Sequence, residues 1–276
     1  MRLAHHLEIE PEHLEGNQGI GRYVLLPGSV GRVARISARL SGVQVIENRR
    51  RLDVHLGTLR HEGGTIDVAV LPTGMGCPSV DIVVNELIAL GARRLLRVGT
   101  AGGLQPQLAI GDLVIATGAV RDESTSDVYA PRGFPAVADP WLVHALCRAA
   151  DQLGLADRVH CGLLHSKDSF YGREFGRGPD AERNHTYMAR LAGMGVLATE
   201  MEAAHLFVLG AALSDGPTTV AQLRSHTPSI RAGAVCAIIG TPASGIAALA
   251  EEQEAEERLI ELALSALIEL WRQESP

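Results

Sequence analysis

Short β-rich runs, several of them continuously apolar, alternate along this chain with segments of helical pattern. No other feature constrains the fold as strongly. The runs lie at 23–26, 54–60, 66–71, 95–98, 113–117, 162–165, 196–199 and 234–239. A strand that is apolar along its length, rather than at alternate positions, belongs to a sheet covered on both faces. The segment 78–90 opens on Pro78 and Ser79 and stops before Gly91, and 140–153 opens on Pro140, as helices do. Near the C-terminus Leu259, Leu262, Ala263, Ala266, Leu267, Leu270 and Trp271 form one helical stripe. Acidic residues crowd its start at 251–257, where the helix dipole favours them. This helix is expected to pack on the sheet and to say little about function. The segments 121–140 and 214–229 read as loops, and 171–180, rich in Gly and Arg, as a flap. With no repeat and no shift in composition, residues 1–276 are expected to form one α/β domain.

Composition excludes several classes. A chain of 276 residues, 46% of them hydrophobic, buries a large core without staples. Collagen-like, disordered and small disulfide-stapled folds are thereby ruled out. The 25 basic residues face 32 acidic ones, a net charge of −7 that disfavours a nucleic-acid binder. A small anionic substrate remains compatible, because a few converging arginines suffice locally. Cys77, Cys147, Cys161 and Cys236 show no C-x-x-C spacing and are expected to be reduced and mostly buried. The first residues lack the apolar core of a secretory signal, and no run approaches ~18 apolar residues. A cytoplasmic protein without membrane contact is expected.

Three glycine-rich turns follow strand candidates: Leu26-Pro27-Gly28-Ser29-Val30-Gly31-Arg32, Thr73-Gly74-Met75-Gly76-Cys77-Pro78-Ser79 and Arg97-Val98-Gly99-Thr100-Ala101-Gly102-Gly103. None is a dinucleotide fingerprint or a P-loop. At strand carboxyl ends, glycine lets backbone N–H groups approach an anion. Arg97 stands inside an apolar strand, which is costly unless an anion or a structural carboxylate pairs with it. Thr100 adds a hydroxyl near the same strand end. Arg32 and Arg50 could add forks for phosphate oxygens, although Arg50 also reads as part of a solvated charge run. In Thr199-Glu200-Met201-Glu202 only one of the two carboxylates is expected to face a given ligand. The other reading of a glutamate here is a charge at a helix N-terminus. His5 and His6 taken alone read as exposed terminal residues. No His, Cys or acid falls at ligand spacing, so no metal site is expected.

These blocks, in this order, resemble the uridine phosphorylase branch of the nucleoside phosphorylase-I family. The likeness runs from about residue 6 to the terminal helix. It is clearest at 73–112, with T-G-M-G-C-P-S, N-E-L-I-A-L-G, L-R-V-G-T-A-G-G-L-Q-P and I-G-D, and again in A-T-E-M-E-A at 198–203. The resemblance implies a central mixed β-sheet, partly curled into a barrel and flanked by helices, in chains that assemble as dimers or as hexamers of dimers. It implies phosphate binding by Gly28, Arg32, Arg97 and Thr100, with Arg50 inserted from a neighbouring subunit. Glu202 resembles the carboxylate on the ribose 2′- and 3′-hydroxyls, with Met201 and Thr100 also at the sugar. His6 resembles a histidine that reaches the 5′-hydroxyl across the dimer, and Phe170 the aromatic that packs on the base. The implied reaction is phosphorolysis: nucleoside and phosphate give ribose 1-phosphate and free base, with Arg97 and Glu202 catalytic. Phosphate is a co-substrate and no organic cofactor is needed.

The departures from that pattern carry their own expectations. Ser29 replaces the acid of the usual P-G-D turn, an exchange that bears on how Arg32 is oriented. Arg51 stands where relatives with a potassium site have glutamate, so no potassium is expected. Ile239-Gly240-Thr241-Pro242 lacks the aspartate of purine-cleaving relatives, which favours a pyrimidine. Yet the Gln-x-Arg that reads uracil is absent after Phe170-Tyr171, leaving Arg173, Glu174 and Arg177 as base-binding candidates. The alternatives are a purine or modified-nucleoside phosphorylase, or a degenerate nucleoside-binding protein without activity.

Overall fold

A computed structural model describes residues 4–214 and 229–274. Eleven strands join in one mixed sheet: β1 Tyr23–Pro27, β2 Ser41–Ile46, β3 Val54–His61, β4 Gly64–Val70, β5 Arg94–Gly103, β6 Leu113–Asp122, β7 Ala136–Val137, β8 Val159–Lys167, β9 Ala198–Glu200, β10 Arg231–Thr241 and β11 Gly245–Ile246. The order is β11-β10-β6-β8-β9-β5-β1-β4-β3-β2, with β7 on β6. β10 also pairs with β5, so β5, β10, β6, β8 and β9 close into a five-stranded barrel. Helices α1 Val30–Ser37, α2 Cys77–Ala89, α3 Pro140–Gln152, α4 Ala181–Gly193, α5 Ala203–Ala212 and α6 Leu249–Glu274 flank it.

The apolar runs are apolar because successive residues enter two different cores. Val24, Leu26 and Leu95 pack with residues of α2 and α5, such as Val84 and Phe207. Tyr23, Leu25 and Leu96 pack on the opposite face with α1, α3 and α6 residues such as Ile36, Leu146 and Leu259. Among the described residues no helix is long and apolar enough to cross a membrane.

Several boundaries differ from expectation. β5 and β6 run well past 98 and 117, because barrel closure gives their glycine-rich halves strand partners that local propensity does not supply. β2 has no apolar run, since it is an edge strand whose Val43 and Val45 are exposed. Residues 196–199 form strand only from Ala198. The loop at 121–140 holds the end of β6, a 3-10 turn at Thr125–Val128 and β7. The flap at 171–180 begins with a π-helical turn, Phe170–Glu174. Most of 214–229 lies outside the described residues. All four cysteines are free, but Cys161 is exposed on β8 and Cys147 half-buried, so only Cys77 and Cys236 behave as core residues.

Candidate active site

β1, β4, β5 and β10 run in parallel, and the glycine turns leave their carboxyl ends side by side, the usual place for a ligand. Thr73 N donates to Pro27 O at 2.9 Å, which brings the Gly28 turn against the Gly74 turn. They nearly touch: a Cβ on Gly28 would lie 3.4 Å from the Gly74 carbonyl oxygen. Thr100, half-buried, sits beyond Arg97 on β5.

Arg97 is 5% exposed. Its Nε donates to Glu200 Oε2 at 2.9 Å, and its Nη2 pairs with Glu202 Oε2. The guanidinium folds over Gly99, where a Cβ would come within 2.9 Å of Nη2 and 3.0 Å of the Cys236 sulfur. Nη1 is buried without a hydrogen-bond partner among the described residues. Burial opposes the charge of Arg97, but Glu202 and Glu200 outweigh burial and hold its pKa above the ordinary arginine value. Arg97 is therefore a fixed cation with one donor nitrogen to spare.

Both glutamates reach Arg97, rather than one alone. Residues two apart on an extended chain share a face, and Glu202, two past the end of β9 and just before α5, keeps to the side of Arg97 with Glu200. Glu200 takes the helix-terminal role, accepting from Glu202 N at 2.9 Å and Ala203 N at 3.0 Å, and it also bonds Ser166 Oγ. Glu202 Oε1 accepts from Gly76 N at 2.5 Å, tying the second glycine turn to the same centre. Met201 is half-buried, and its carbonyl accepts from the Cys77 thiol at 3.1 Å. Burial, reinforced by Glu200, pushes the Glu202 carboxyl above the usual carboxylate range although Arg97 pulls it down.

Arg32 reaches the same strand, with Nη1 donating to Val98 O at 3.2 Å. Its carboxylate partner is Glu256 on α6, at 3.0 Å from Nε. Ser29 caps α1 by accepting from Arg32 N at 3.3 Å. The terminal helix thus contributes to the arginine cluster, a role its apolar stripe did not disclose.

His6 and Arg50 make no hydrogen bond or ion pair with Arg97, Arg32 or Glu202 of their own chain. His6 Nδ1 lies 2.6 Å from Glu86 Oε1 on α2, and Arg50 is exposed after β2. Their two segments are joined: Asn48 Nδ2 donates to Leu7 O at 3.5 Å, and Arg49 Nε to Glu8 at 2.5 Å.

On the far side of Glu200, Phe170 is 38% exposed and edges against Tyr171 and Phe175. Beside it lies Lys167, a buried cation that no motif in the sequence marks. Its Nζ is 2.9 Å from Glu174 Oε2 and from Thr199 Oγ1, and 5.6 Å from the Phe170 ring centre. Glu174 Oε1 lies where a Cβ on Gly102 would be, 2.6 Å from it. Arg173 instead faces Asp122 at 2.7 Å and Asn184 at 2.7 Å, and Arg177 stacks on Tyr171 at 4.7 Å. Burial tends to raise the Asp122 carboxyl, but His165 and Arg173 outweigh it and hold that carboxyl below its usual range. A lysine next to Asp168 in a polar stretch looks solvated, so only the fold of β8 against β9 could reveal Lys167 as buried. Among the described residues no cluster of His, Cys, Asp and Glu could hold a metal ion.

A sheet closed into a five-stranded barrel, with Arg97 and the paired Glu200 and Glu202 buried at its strand ends, defines an α/β barrel protein with a charged centre. A family model described as the phosphorylase superfamily matches residues 22–269, and this chain belongs to that superfamily. It is 38% identical to a uridine phosphorylase of Treponema pallidum over 93% of this chain and 92% of that protein. It is equally 38% identical to a uridine phosphorylase of Thermococcus kodakarensis, over 86% of this chain and 79% of that one. A guanosine phosphorylase of Halorubrum lacusprofundi is 30% identical over 86% and 85% of the two chains.

Proposed function

We propose that this protein is a nucleoside phosphorylase that transfers the pentosyl group of uridine to phosphate. The observation that carries the reading is Arg97: a buried guanidinium, oriented by Glu200 and Glu202, with Nη1 unpartnered among the described residues. Arg97, Arg32, Thr100 and the Gly28 turn hold phosphate below the sugar, with Arg50 added by a second subunit. Glu202 accepts from the ribose 2′- and 3′-hydroxyls, Met201 lies against the sugar, and His6 of a second subunit takes the 5′-hydroxyl. A phosphate oxygen attacks C1′ as the glycosidic bond to the base breaks. Positive charge then develops on the sugar between phosphate and Glu202, and both stabilise it more than they stabilise the ground state. No cofactor is required, and the protein works in the cytoplasm as one domain in a homo-oligomer.

Phe170 packs on the base, Glu174 accepts from its edge, and Arg173, with two N–H groups beyond those bonded to Asp122 and Asn184, donates to it. Uracil presents a ring N–H between two carbonyls; a carboxylate accepts from the first, and a guanidinium donates to the second kind of group. Arg177, stacked on Tyr171, is the second candidate donor, while the three N–H groups of Lys167 are taken by Glu174, Thr199 and the Glu200 carbonyl. Guanine presents the same N–H and C=O pair, and the guanosine phosphorylase relative makes guanosine the second reading. Cytosine and adenine invert the pattern, and one mispaired buried polar group costs ~1–3 kcal/mol, about 10- to 100-fold in discrimination.

The test is a panel of uridine, thymidine, cytidine, guanosine, inosine and adenosine, with and without phosphate, reading free base. Uridine is expected to be cleaved only with phosphate, and cytidine and adenosine at least about tenfold more slowly. Equal turnover without phosphate would overturn the phosphorylase reading. Preferred cleavage of adenosine or cytidine would overturn the assignment of Glu174 and Arg173 alone.

A further inference from the structure

We infer that Glu256, on the terminal helix, is a positioning residue that sets the direction in which Arg32 presents its free N–H groups to phosphate. The inference rests on the phosphorolysis reading above. A guanidinium has five N–H groups. In Arg32, Nε donates to Glu256 Oε1 at 3.0 Å, Nη2 bonds the same oxygen, and Nη1 donates to Val98 O at 3.2 Å. These contacts leave one N–H on each of Nη1 and Nη2 and fix the guanidinium plane. Val98 adjoins Arg97 on β5, so the two arginines are held from the same strand.

Glu256 is itself held at both oxygens, for Oε2 pairs with Arg35. Arg35 in turn takes Glu257 Oε1 and the Gln253 carbonyl, each at 2.8 Å. The N-terminal turn of α1 offers no substitute, because the Ser29 hydroxyl is used on the Arg32 backbone N–H.

A simple tie between helices would account for Glu257, whose pairs with Arg35 and Arg39 are half-exposed. It accounts poorly for Glu256, because desolvating a pair whose side chains are 6% and 12% exposed costs much of what the attraction returns. Glu256 also puts a negative charge beside a site for an anion. Pure electrostatics would therefore predict tighter phosphate binding once Glu256 is neutralised. An orienting role predicts weaker binding, so the two readings differ in sign.

The experiment is calorimetric titration of inorganic phosphate into the whole protein and its variants, paired with steady-state kinetics at saturating uridine. Glu256→Gln is expected to weaken phosphate binding about tenfold, as loss of a supporting partner does elsewhere, and to raise the phosphate KM more than it lowers kcat. Glu256→Asp, which keeps the charge on a shorter arm, is expected to weaken binding about threefold and serves if the Gln variant does not fold. Glu257→Gln removes the outer pairs and is expected to leave phosphate affinity unchanged. Unchanged or tighter phosphate binding by a folded Glu256 variant overturns the inference while leaving phosphorolysis intact. So does an equal loss in Glu257→Gln. A wild-type protein that binds no phosphate overturns both.

Discussion

Arg97 is where the residue scale decides most. Its charge sits in an apolar strand and is supported by two carboxylates, so its removal strands Glu200 and Glu202 as well as the ligand. Arg97→Ala is expected to lower turnover by roughly 10²–10³ and to abolish saturation by phosphate. A variant that saturates with phosphate as the parent does would show that the anion binds elsewhere. The same cluster shapes the pH response. Burial, with Glu200, raises the Glu202 carboxyl against the pull of Arg97, so the contact proposed with the sugar is expected to be lost at a higher pH than an ordinary glutamate would lose it. Measured at saturating phosphate, kcat/KM for uridine is expected to fall on the acid side with a midpoint above the ordinary glutamate value of about 4.3. A midpoint at or below that value would remove Glu202 from the essential groups.

Elements, rather than single residues, carry the N-terminal segment and the flap. Residues before β1 have little regular structure, yet Leu7 and Ile9 are fully buried. Glu86 on α2 holds them by accepting from the backbone N–H groups of His5 at 3.1 Å and of His6 and Leu7 at 2.9 Å. Burial opposes its ionisation, but those N–H groups and His6 outweigh burial and lower the Glu86 pKa. Its stabilising contribution is then present above the unfolded-state value, about 4.3, and is lost as pH falls through the lower folded value. Glu86→Gln should lose about 1.5–3 kcal/mol at pH 7, the range for hydrogen bonds to a charged group. Denaturation at pH 7 and again near pH 3 checks it, and the difference between the proteins should shrink in acid. At the C-terminal end of β8, Lys167 and Glu174 tie the flap to the barrel through an ion pair.

For the whole molecule the arrangement of His6 and Arg50 matters most. Both belong to segments bonded to each other and neither bonds the arginine–glutamate centre of its own chain, which suits delivery of the two together to a neighbour's site. Chains carrying Glu202→Ala and chains carrying Arg50→Ala should each be inactive alone. In a two-fold dimer that shares sites, a mixed pair regains one site with both residues intact, about a quarter of all sites after random exchange. Subunit exchange demonstrated by labelled chains, without return of activity, would show that Arg50 does not act across the interface.

The sequence by itself determined the layered sheet, because a strand with two covered faces must be apolar at successive positions, and Tyr23, Val24, Leu25 and Leu26 divide between two cores as that requires. It also determined the helix starts at Pro78 and Pro140 to within a residue, and the need for a partner at Arg97. These are local matters of period, cap and charge. Only the tertiary structure decided who the partners are. Arg32 meets Glu256 across 224 residues, and Arg97 meets Glu200 and Glu202 across more than 100. It also decided that β5 continues through glycines to close the barrel and that Lys167 is buried. Such pairings leave no periodic trace, because they depend on which strand ends the folded sheet sets side by side, and many acids in the chain could have met each arginine.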